Sequence, residues 1–143
     1  MFSGIIEATS TIIKVTEFEA ANQAASLVRI WLNRPIAFDD IKNGDSIAVD
    51  GICLTVEGYD SATIQFALGY ETLQVLQLQI SNLLNRQVNL ERSLKFGDRM
   101  HGHLVSGHVE GLGQILSKKM EGESLLLKIS VPSALRPALW KKG

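Results

Sequence analysis

Six short runs rich in β-branched residues follow one another between residues 9 and 92, with glycine, asparagine and aspartate between them. The runs are residues 9–15, 26–32, 46–49, 52–57, 63–68 and 87–92. Runs of this length and composition predict β-strands. Because they follow one another so closely, they favour a small closed barrel over an open sheet. Between them, residues 34–40 suggest a short helical turn with a proline at its start, and residues 71–84 either one helix or a helix with a loop.

The third and fourth runs form the clearest local structure, a hairpin around Asp50 and Gly51. An Asp-Gly pair is a favoured two-residue turn because both positions need positive φ. Side chains alternate between faces along a strand, so the hairpin has two distinct sides. The side predicted to enter the core is Ile47, Val49, Ile52, Leu54 and Val56, and the opposite side is Ser46, Ala48, Cys53 and Thr55. The second set suits either a solvated barrel exterior, which the hairpin alone favours, or the floor of a site for a flat polar ligand.

Composition limits the partners and the compartment that we expect. The net charge is -1, no basic stripe is present and 6% of residues are aromatic, which argues against nucleic acid as a partner. The one cysteine, Cys53, cannot form an internal disulfide. The first residues lack the basic region of a signal peptide, and no apolar run is long enough to span a bilayer. We therefore expect a soluble cytoplasmic protein with no membrane partner.

The chain also resembles itself. Residues 3–7, Ser-Gly-Ile-Ile-Glu, recur as Ser-Gly-His-Val-Glu at 106–110, residues 27–30 resemble 126–129, and residues 42–44 resemble 141–143. Three matches in the same order indicate a duplicated unit. The second copy stops at the position where the first reaches its hairpin, so we expect a complete barrel over 1–97 and the first part of a second barrel over 98–143. A half barrel would leave strand edges without partners, which favours a longer natural chain.

Several motifs along the chain resemble one known family. They are Met-Phe-Ser-Gly-Ile-Ile-Glu at 1–7, Gly-Asp-Ser-Ile-Ala-Val-Asp-Gly-Ile-Cys-Leu-Thr-Val at 44–56, Glu-Thr-Leu at 71–73, Val-Asn-Leu-Glu-Arg-Ser-Leu at 88–94 and Gly-His-Leu-Val-Ser-Gly-His-Val at 102–109. Together they resemble riboflavin synthase. The resemblance implies an all-β fold of tandem six-stranded Greek-key barrels, here one barrel and the first half of a second copy. It also implies a transferase of riboflavin biosynthesis that converts two molecules of 6,7-dimethyl-8-ribityllumazine into riboflavin and 5-amino-6-(D-ribitylamino)uracil, with no metal or redox cofactor.

The resemblance further implies a site between the N-terminal barrel of one subunit and the C-terminal barrel of its neighbour in a homotrimer. Its substrate contacts would be Phe2, Gly4, Ile5, Ile6, Cys53, Leu54, Thr55, Ala67, Leu68, Gly69, Tyr70, Glu71, Thr72, Gly107, His108, Val109 and Lys142, with Ser46 in the same site. The polar side of the hairpin carries three of these residues, so the family pattern and the hairpin pattern agree on a ligand surface there.

Three side chains are candidates for chemistry. His108 could shuttle a proton, because imidazole titrates near neutral pH, or could instead make a structural hydrogen bond. Cys53 or Ser46 could add to C7 of one lumazine, although a binding contact is the favoured role of Cys53. Main-chain amides of residues 4–6 could stabilise negative charge on the ring oxygens.

The remaining expectations concern metals, turnover and assembly. His101 and His103 share a strand face near His108, but no fuller ligand set accompanies them, so we expect no metal site. The polar ligands of a whole second barrel and a C-terminal helix are missing, and residues 74–77 depart from the family's Thr-Asn pair. The chain could therefore bind ligand without turnover, as a non-catalytic lumazine- or flavin-binding protein would. An unrelated oligonucleotide-binding barrel is disfavoured. With one whole barrel, N-terminal barrels could pair into a homodimer.

Overall fold

The structure is a computed structural model that describes residues 1–19, 26–97, 99 and 103–141. Six antiparallel strands close into a barrel in the order β1-β2-β5-β4-β3-β6. The strands are β1 (Ala8–Glu19), β2 (Ser26–Asn33), β3 (Ser46–Val49), β4 (Ile52–Tyr59), β5 (Thr63–Leu68) and β6 (Gln87–Arg92). β2 and β3, consecutive in the chain, are separated by two strands in the barrel, which gives the Greek-key order. The predicted all-β barrel is therefore confirmed.

One apolar cluster fills the barrel. Alternation along the strands sends every second side chain inwards, and the segments that join the strands complete the cluster. Its buried members are Ile12, Val28, Ile30, Leu32, Phe38, Ile41, Ile47, Val49, Leu54, Val56, Ile64, Phe66, Leu68, Leu73, Leu83, Val88 and Leu90. These residues come from all six strands and the connections, so the first unit has its own core.

The hairpin has the register that its turn predicts. Val49 lies opposite Ile52 and Ser46 opposite Thr55, and Asp50 and Gly51 have φ values of 50° and 82°. Four of the five predicted core residues are buried, and Ile52 is half-buried against them. The polar side chains of the hairpin therefore face away from the core.

Neither residues 34–40 nor residues 71–84 form one continuous helix. Residues 34–40 form turns, in which the N–H of Phe38 donates to the carbonyl of Pro35 at 2.9 Å. The side chain of Arg34 donates a hydrogen bond through Nε to the carbonyl of Phe38 at 2.9 Å. No helix forms over these residues. In 71–84 the second alternative holds: α1 (Tyr70–Val75) is followed by a loop and a 3₁₀ turn at Ile80–Asn82.

The chain divides into two compact units, Met1–Val109 and Glu110–Gly143. The second unit contains an antiparallel pair, β7 (Gln114–Glu121) and β8 (Ser124–Ser130), and a 3₁₀ turn at Ser133–Ala138. Its large apolar side chains are exposed, including Ile115, Leu126 and Trp140. Both β1–β2 and β7–β8 contain one bulge, and the duplication stays a prediction. The boundary at 97/98 followed the repeat and stays a prediction, and by contacts residues 103–109 lie in the first unit.

Within the described residues, no helix has the length and apolar character needed to cross a membrane.

Candidate functional site

The outward side of the β3–β4 hairpin carries the predicted hydroxyl and thiol groups. Thr55 is exposed, whereas Ser46 and Cys53 are half-buried. Ala48 lies on the same side and is only 5% exposed, because other segments of the first unit cover it. The hairpin pattern did not reveal that cover. The side is thus a small-residue platform that is partly covered and partly open.

One cover is the N-terminal segment, residues 1–6. The carboxylate of Glu91 accepts hydrogen bonds from Ser3 N (2.6 Å), Ser3 Oγ (2.9 Å) and Gly4 N (3.1 Å). Phe2 is buried at 1% exposure, and its N–H and C=O pair with the C=O and N–H of Val105 at 2.9 and 3.0 Å. The buried side chain of Phe2 anchors the N-terminal segment to the first unit. The ligand contact predicted for Phe2 stays a prediction.

The second cover is the turn at Gly107. The N–H of Cys53 donates to the carbonyl of Gly107 at 2.8 Å. A Cβ at position 107 would lie 2.9 Å from the Cβ of Cys53 and 3.1 Å from the Phe2 ring, and the φ of Gly107 is +76°. Only glycine fits this close approach without a shift. The contact brings the distant motif at 106–109 against the hairpin.

His108 and Val109 follow Gly107, and both side chains are exposed. The main-chain N–H of His108 donates to Ser106 Oγ at 3.2 Å. Among the described residues, none hydrogen-bonds the imidazole. The ring of His108 is therefore accessible to a bound ligand or to water.

The strand pairing beside Cys53 and Thr55 is incomplete. β4 pairs with β5 only from Val56 onwards, with a bulge before Gly58. The end of β5, with half-buried Ala67, continues into exposed Gly69, Tyr70 and Glu71 and half-buried Thr72. Leu54 and Leu68 point into the core at 5% and 2% exposure, so only their main chain could meet a ligand. The gap in pairing lies beside Cys53, whose N–H donates to the carbonyl of Gly107 and not to β5.

A charged cluster lies at the Ser46 end of the platform, and the sequence patterns did not predict it. The guanidinium of Arg92 contacts Glu7 and Asp40, each at 2.7 Å, and stacks 4.8 Å from the centre of the Phe38 ring. Lys95 donates to the other oxygen of Asp40. These hydrogen bonds, that of Lys95 first, lower the pKa of Asp40 from 3.8 to about 2. Burial lowers the pKa of Arg92, but its hydrogen bonds to Glu7 and Asp40 raise it overall.

The cluster borders a depression of about 510 Å³ that Ser46, Asp40 and Arg92 help to line. Its lining does not include Cys53, Thr55 or His108. A depression of this size with opposite charges paired along its wall is suited to water and polar groups. The predicted residues Cys53, Thr55 and Gly107 lie instead beside the gap between β4 and β5.

Two predicted residues fall outside the described part of the chain: Lys142, a predicted contact, and His101, part of the metal consideration. Among the described residues, no group of three or more His, Cys, Asp or Glu side chains could hold a metal ion.

Comparison with known proteins defines the class first. Residues 3–93, which include the six strands of the barrel, match the family model of the lumazine binding domain. Solved structures of LumP complexed with 6,7-dimethyl-8-(1'-D-ribityl) lumazine and with riboflavin have the same fold, with TM-scores of 0.69 and 0.70 at 21% identity. They match 93% and 96% of this chain and 70% and 71% of theirs. The barrel is a lumazine-binding domain.

The curated relatives define the family more closely. The chain is 37% identical to riboflavin synthase of Brucella abortus over the whole of this chain and 70% of the relative. It is 35% identical to that of Photobacterium leiognathi, again over the whole chain and 63% of the relative. It is 33% identical to riboflavin synthase of Saccharomyces cerevisiae, over 88% of this chain and 53% of the relative. The chain belongs to the riboflavin synthase family, and it spans 53% to 70% of the length of these relatives.

Proposed function

We propose that this chain binds 6,7-dimethyl-8-ribityllumazine on the outward side of the β3–β4 hairpin, as part of a riboflavin synthase. The reaction converts two such molecules into riboflavin and 5-amino-6-(D-ribitylamino)uracil. The observation that carries the proposal is the hydrogen bond between Cys53 N and Gly107 O, 2.8 Å long. It joins the two motifs that the family resemblance assigns to one site.

Positioning is the largest contribution that such a site makes. Two ring systems must meet in one orientation, and holding them so can lower the barrier by roughly 7–11 kcal/mol in favourable cases. A platform of small side chains lets a flat ring lie close to the main chain. Cys53 and Thr55 supply the accessible part of that platform, with Gly107 at its edge.

Proton transfer is assigned to His108. One lumazine must lose a proton from its 7-methyl group, and an exposed imidazole can accept it near neutral pH. The N–H of Gly4 already donates to Glu91, so the amides of Ile5 and Ile6 remain to donate to ring oxygens. Of the three main-chain amides at residues 4–6 that the sequence suggested, two therefore remain as candidates.

Cys53 and Ser46 are the candidates for addition to C7 of the second lumazine. Both are half-buried, and Cys53 is a free thiol. Thiolate attack is intrinsically the faster chemistry, whereas a thiol whose neighbours pack against it serves better as a binding contact. The platform location of Cys53 supports the binding contact, which leaves Ser46 as the nucleophile to test first.

The second candidate function is lumazine or flavin binding without turnover. The fold that this chain shares with LumP complexed with 6,7-dimethyl-8-(1'-D-ribityl) lumazine and with riboflavin favours this candidate. Riboflavin formation by the chain would decide against it.

We also propose cytoplasmic localisation and self-association: a homotrimer for the full-length enzyme, and pairing of N-terminal barrels for this chain. A strict monomer by light scattering at high protein concentration would contradict the pairing.

Titration with 6,7-dimethyl-8-ribityllumazine tests the proposed function, with ligand fluorescence reporting binding and flavin absorbance reporting product. Thr55→Ala should raise Kd about fivefold, the effect of one hydrogen bond of about 1 kcal/mol. Thr9→Ala, which removes an exposed strand threonine outside the site, is the control. In a full-length enzyme that forms riboflavin, His108→Asn should abolish product formation. If the chain fails to bind the ligand, or if the two threonine variants weaken binding equally, the proposal is wrong.

A further inference from the structure

We propose that Glu91 is a positioning residue of the lumazine site: its buried carboxylate holds the N-terminal segment, and through it the Gly107 turn, against Cys53. This inference rests on the proposed function. Neither the family motifs nor the hairpin pattern assigns Glu91 a role.

The carboxylate of Glu91 is buried and accepts hydrogen bonds from two main-chain amides and one hydroxyl. Glu91 lies on β6 opposite Ala48 of β3 and is 8% exposed. Its oxygens accept three donors, Ser3 N, Ser3 Oγ and Gly4 N, and the last lies 3.1 Å from both oxygens. The successive amides of Ser3 and Gly4 thus donate to one anion, and Gly4 itself has a φ of 81°. Among the described residues, no salt bridge includes Glu91.

A chain of contacts links this carboxylate to the site. Ser3 follows Phe2, which pairs with Val105 through two main-chain hydrogen bonds of 2.9 and 3.0 Å. Two residues beyond Val105, the carbonyl of Gly107 accepts the N–H of Cys53 at 2.8 Å. All of these contacts lie within the first compact unit. Movement of Ser3 would therefore be transmitted to the residues that carry His108.

The platform beneath these contacts is part of the closed barrel. Glu91, Ala48 and Cys53 lie side by side on three adjacent strands of the closed barrel. One end of the row anchors the N-terminal segment and the other end anchors Gly107. The spacing between the two anchors is thus set by the sheet, and the carboxylate fixes the covering segments to it.

An amide cannot replace this carboxylate. Glu91→Gln removes the charge that strengthens all three hydrogen bonds, and its NH₂ group faces a donor where an oxygen now accepts Gly4 N. The side-chain volume hardly changes, so the variant isolates the loss of the anion. The matched control is Asp60→Asn, because Asp60 Oδ1 also accepts two main-chain amides, Ala62 N at 2.7 Å and Thr63 N at 2.6 Å, in the β4–β5 turn.

Amide hydrogen exchange, followed by NMR on the full chain, provides the first measurement. In Glu91→Gln the amides of Val105 and Cys53 should exchange about tenfold faster, as expected when charge-assisted hydrogen bonds are lost. The amide of Ile30, in the barrel wall, should exchange at the wild-type rate, and Asp60→Asn should leave Cys53 unchanged. A general loss of stability would accelerate Ile30 as well, and that result would overturn the proposal.

Ligand titration of the same proteins provides the second measurement. Glu91→Gln should raise the Kd for 6,7-dimethyl-8-ribityllumazine about tenfold, whereas Asp60→Asn should not change it. Faster exchange at Cys53 with unchanged Kd would overturn the link to the site. If the wild-type chain does not bind, the proposed function fails, and the exchange data still decide whether Glu91 holds the segment.

A second variant covers the possibility that Glu91→Gln does not fold. Ser3→Ala removes only the hydroxyl donor to the carboxylate. It should accelerate exchange of Val105 and Cys53 about threefold, the effect of part of one hydrogen bond. Unchanged exchange at both amides would count against the proposal.

Discussion

Gly107 joins two parts of the first unit that are far apart in the sequence. Its carbonyl accepts the amide of Cys53, and a side chain at this position would meet Cys53 and Phe2. The repeat in the sequence marked Gly107 as the counterpart of Gly4, but it could not reveal the contact with Cys53. Contacts between residues so distant in the chain depend on the closed barrel and cannot be read from local pattern.

Gly107→Ala should destabilise the chain by about 2–3 kcal/mol, because the strain of positive φ is added to a close contact with Cys53. Gly44→Ala is the control, since Gly44 has a φ of +92° and open space where a Cβ would lie. It should cost about 1 kcal/mol for the backbone alone. Urea denaturation of both variants gives the comparison. Equal losses would contradict the close approach at Gly107.

Asp40 should make the stability depend on pH. Its folded pKa of about 2 lies below the usual 3.8, so its contribution is complete above pH 3.8 and is lost as the pH falls through 2. Asp40→Asn should lower the free energy of unfolding by about 1 kcal/mol at pH 7, a value discounted because the side chain is partly exposed. The loss should vanish near pH 2. Urea denaturation between pH 2 and pH 7 measures this loss, and Asp39→Asn, at an exposed carboxylate, is the control. The same pH dependence in both variants would contradict the role of Asp40.

At the scale of elements, the sequence predicts the hairpin well because its determinants are local. The Asp-Gly turn fixes the register, and the alternation of side chains fixes the faces. The turns at 34–40 are different, because Arg34 reaches the carbonyl of Phe38 and that contact depends on a long side chain. The platform was predicted as a surface, but the cover over Ala48 was not, because Ser3 and Glu91 lie 88 positions apart.

The N-terminal segment should depend on its one buried aromatic ring. Phe2→Ala removes a side chain that is 1% exposed and should cost about 3–4 kcal/mol. Phe96→Ala removes a fully exposed ring and should change stability by less than about 0.5 kcal/mol. Thermal or urea unfolding measures both. Similar small losses for the two variants would show that the segment is not packed on the barrel.

At the scale of the whole molecule, the buried residues of the barrel core come from the sequence range 12–90. The first compact unit extends further, to Val109. The sequence predicted the barrel; its boundary at 97/98 stays a prediction and differs from the limit of the contact-defined unit at Val109, which includes Val105 and Gly107. The reason is physical: a repeat marks where one copy begins, whereas contacts decide which residues fold together.

Truncated proteins that end at residue 97 or at residue 109 test which boundary describes the folded unit. A protein of residues 1–109 should keep the unfolding midpoint of the whole chain. A protein of residues 1–97 loses the partners of Phe2 and Cys53 and should be less stable by about 2–3 kcal/mol, the sum of the lost hydrogen bonds. Urea denaturation of the two truncated proteins tests this. Equal stability would mean that residues 103–109 contribute nothing to the first unit.

Chemical-shift mapping on the ¹⁵N-labelled chain, titrated with 6,7-dimethyl-8-ribityllumazine, tests the ligand surface most directly. We predict that the largest changes fall on the amides of Cys53, Thr55 and His108. Changes confined to the depression around Asp40 and Arg92, or no changes at saturating ligand, would contradict a lumazine site on the outward side of the hairpin.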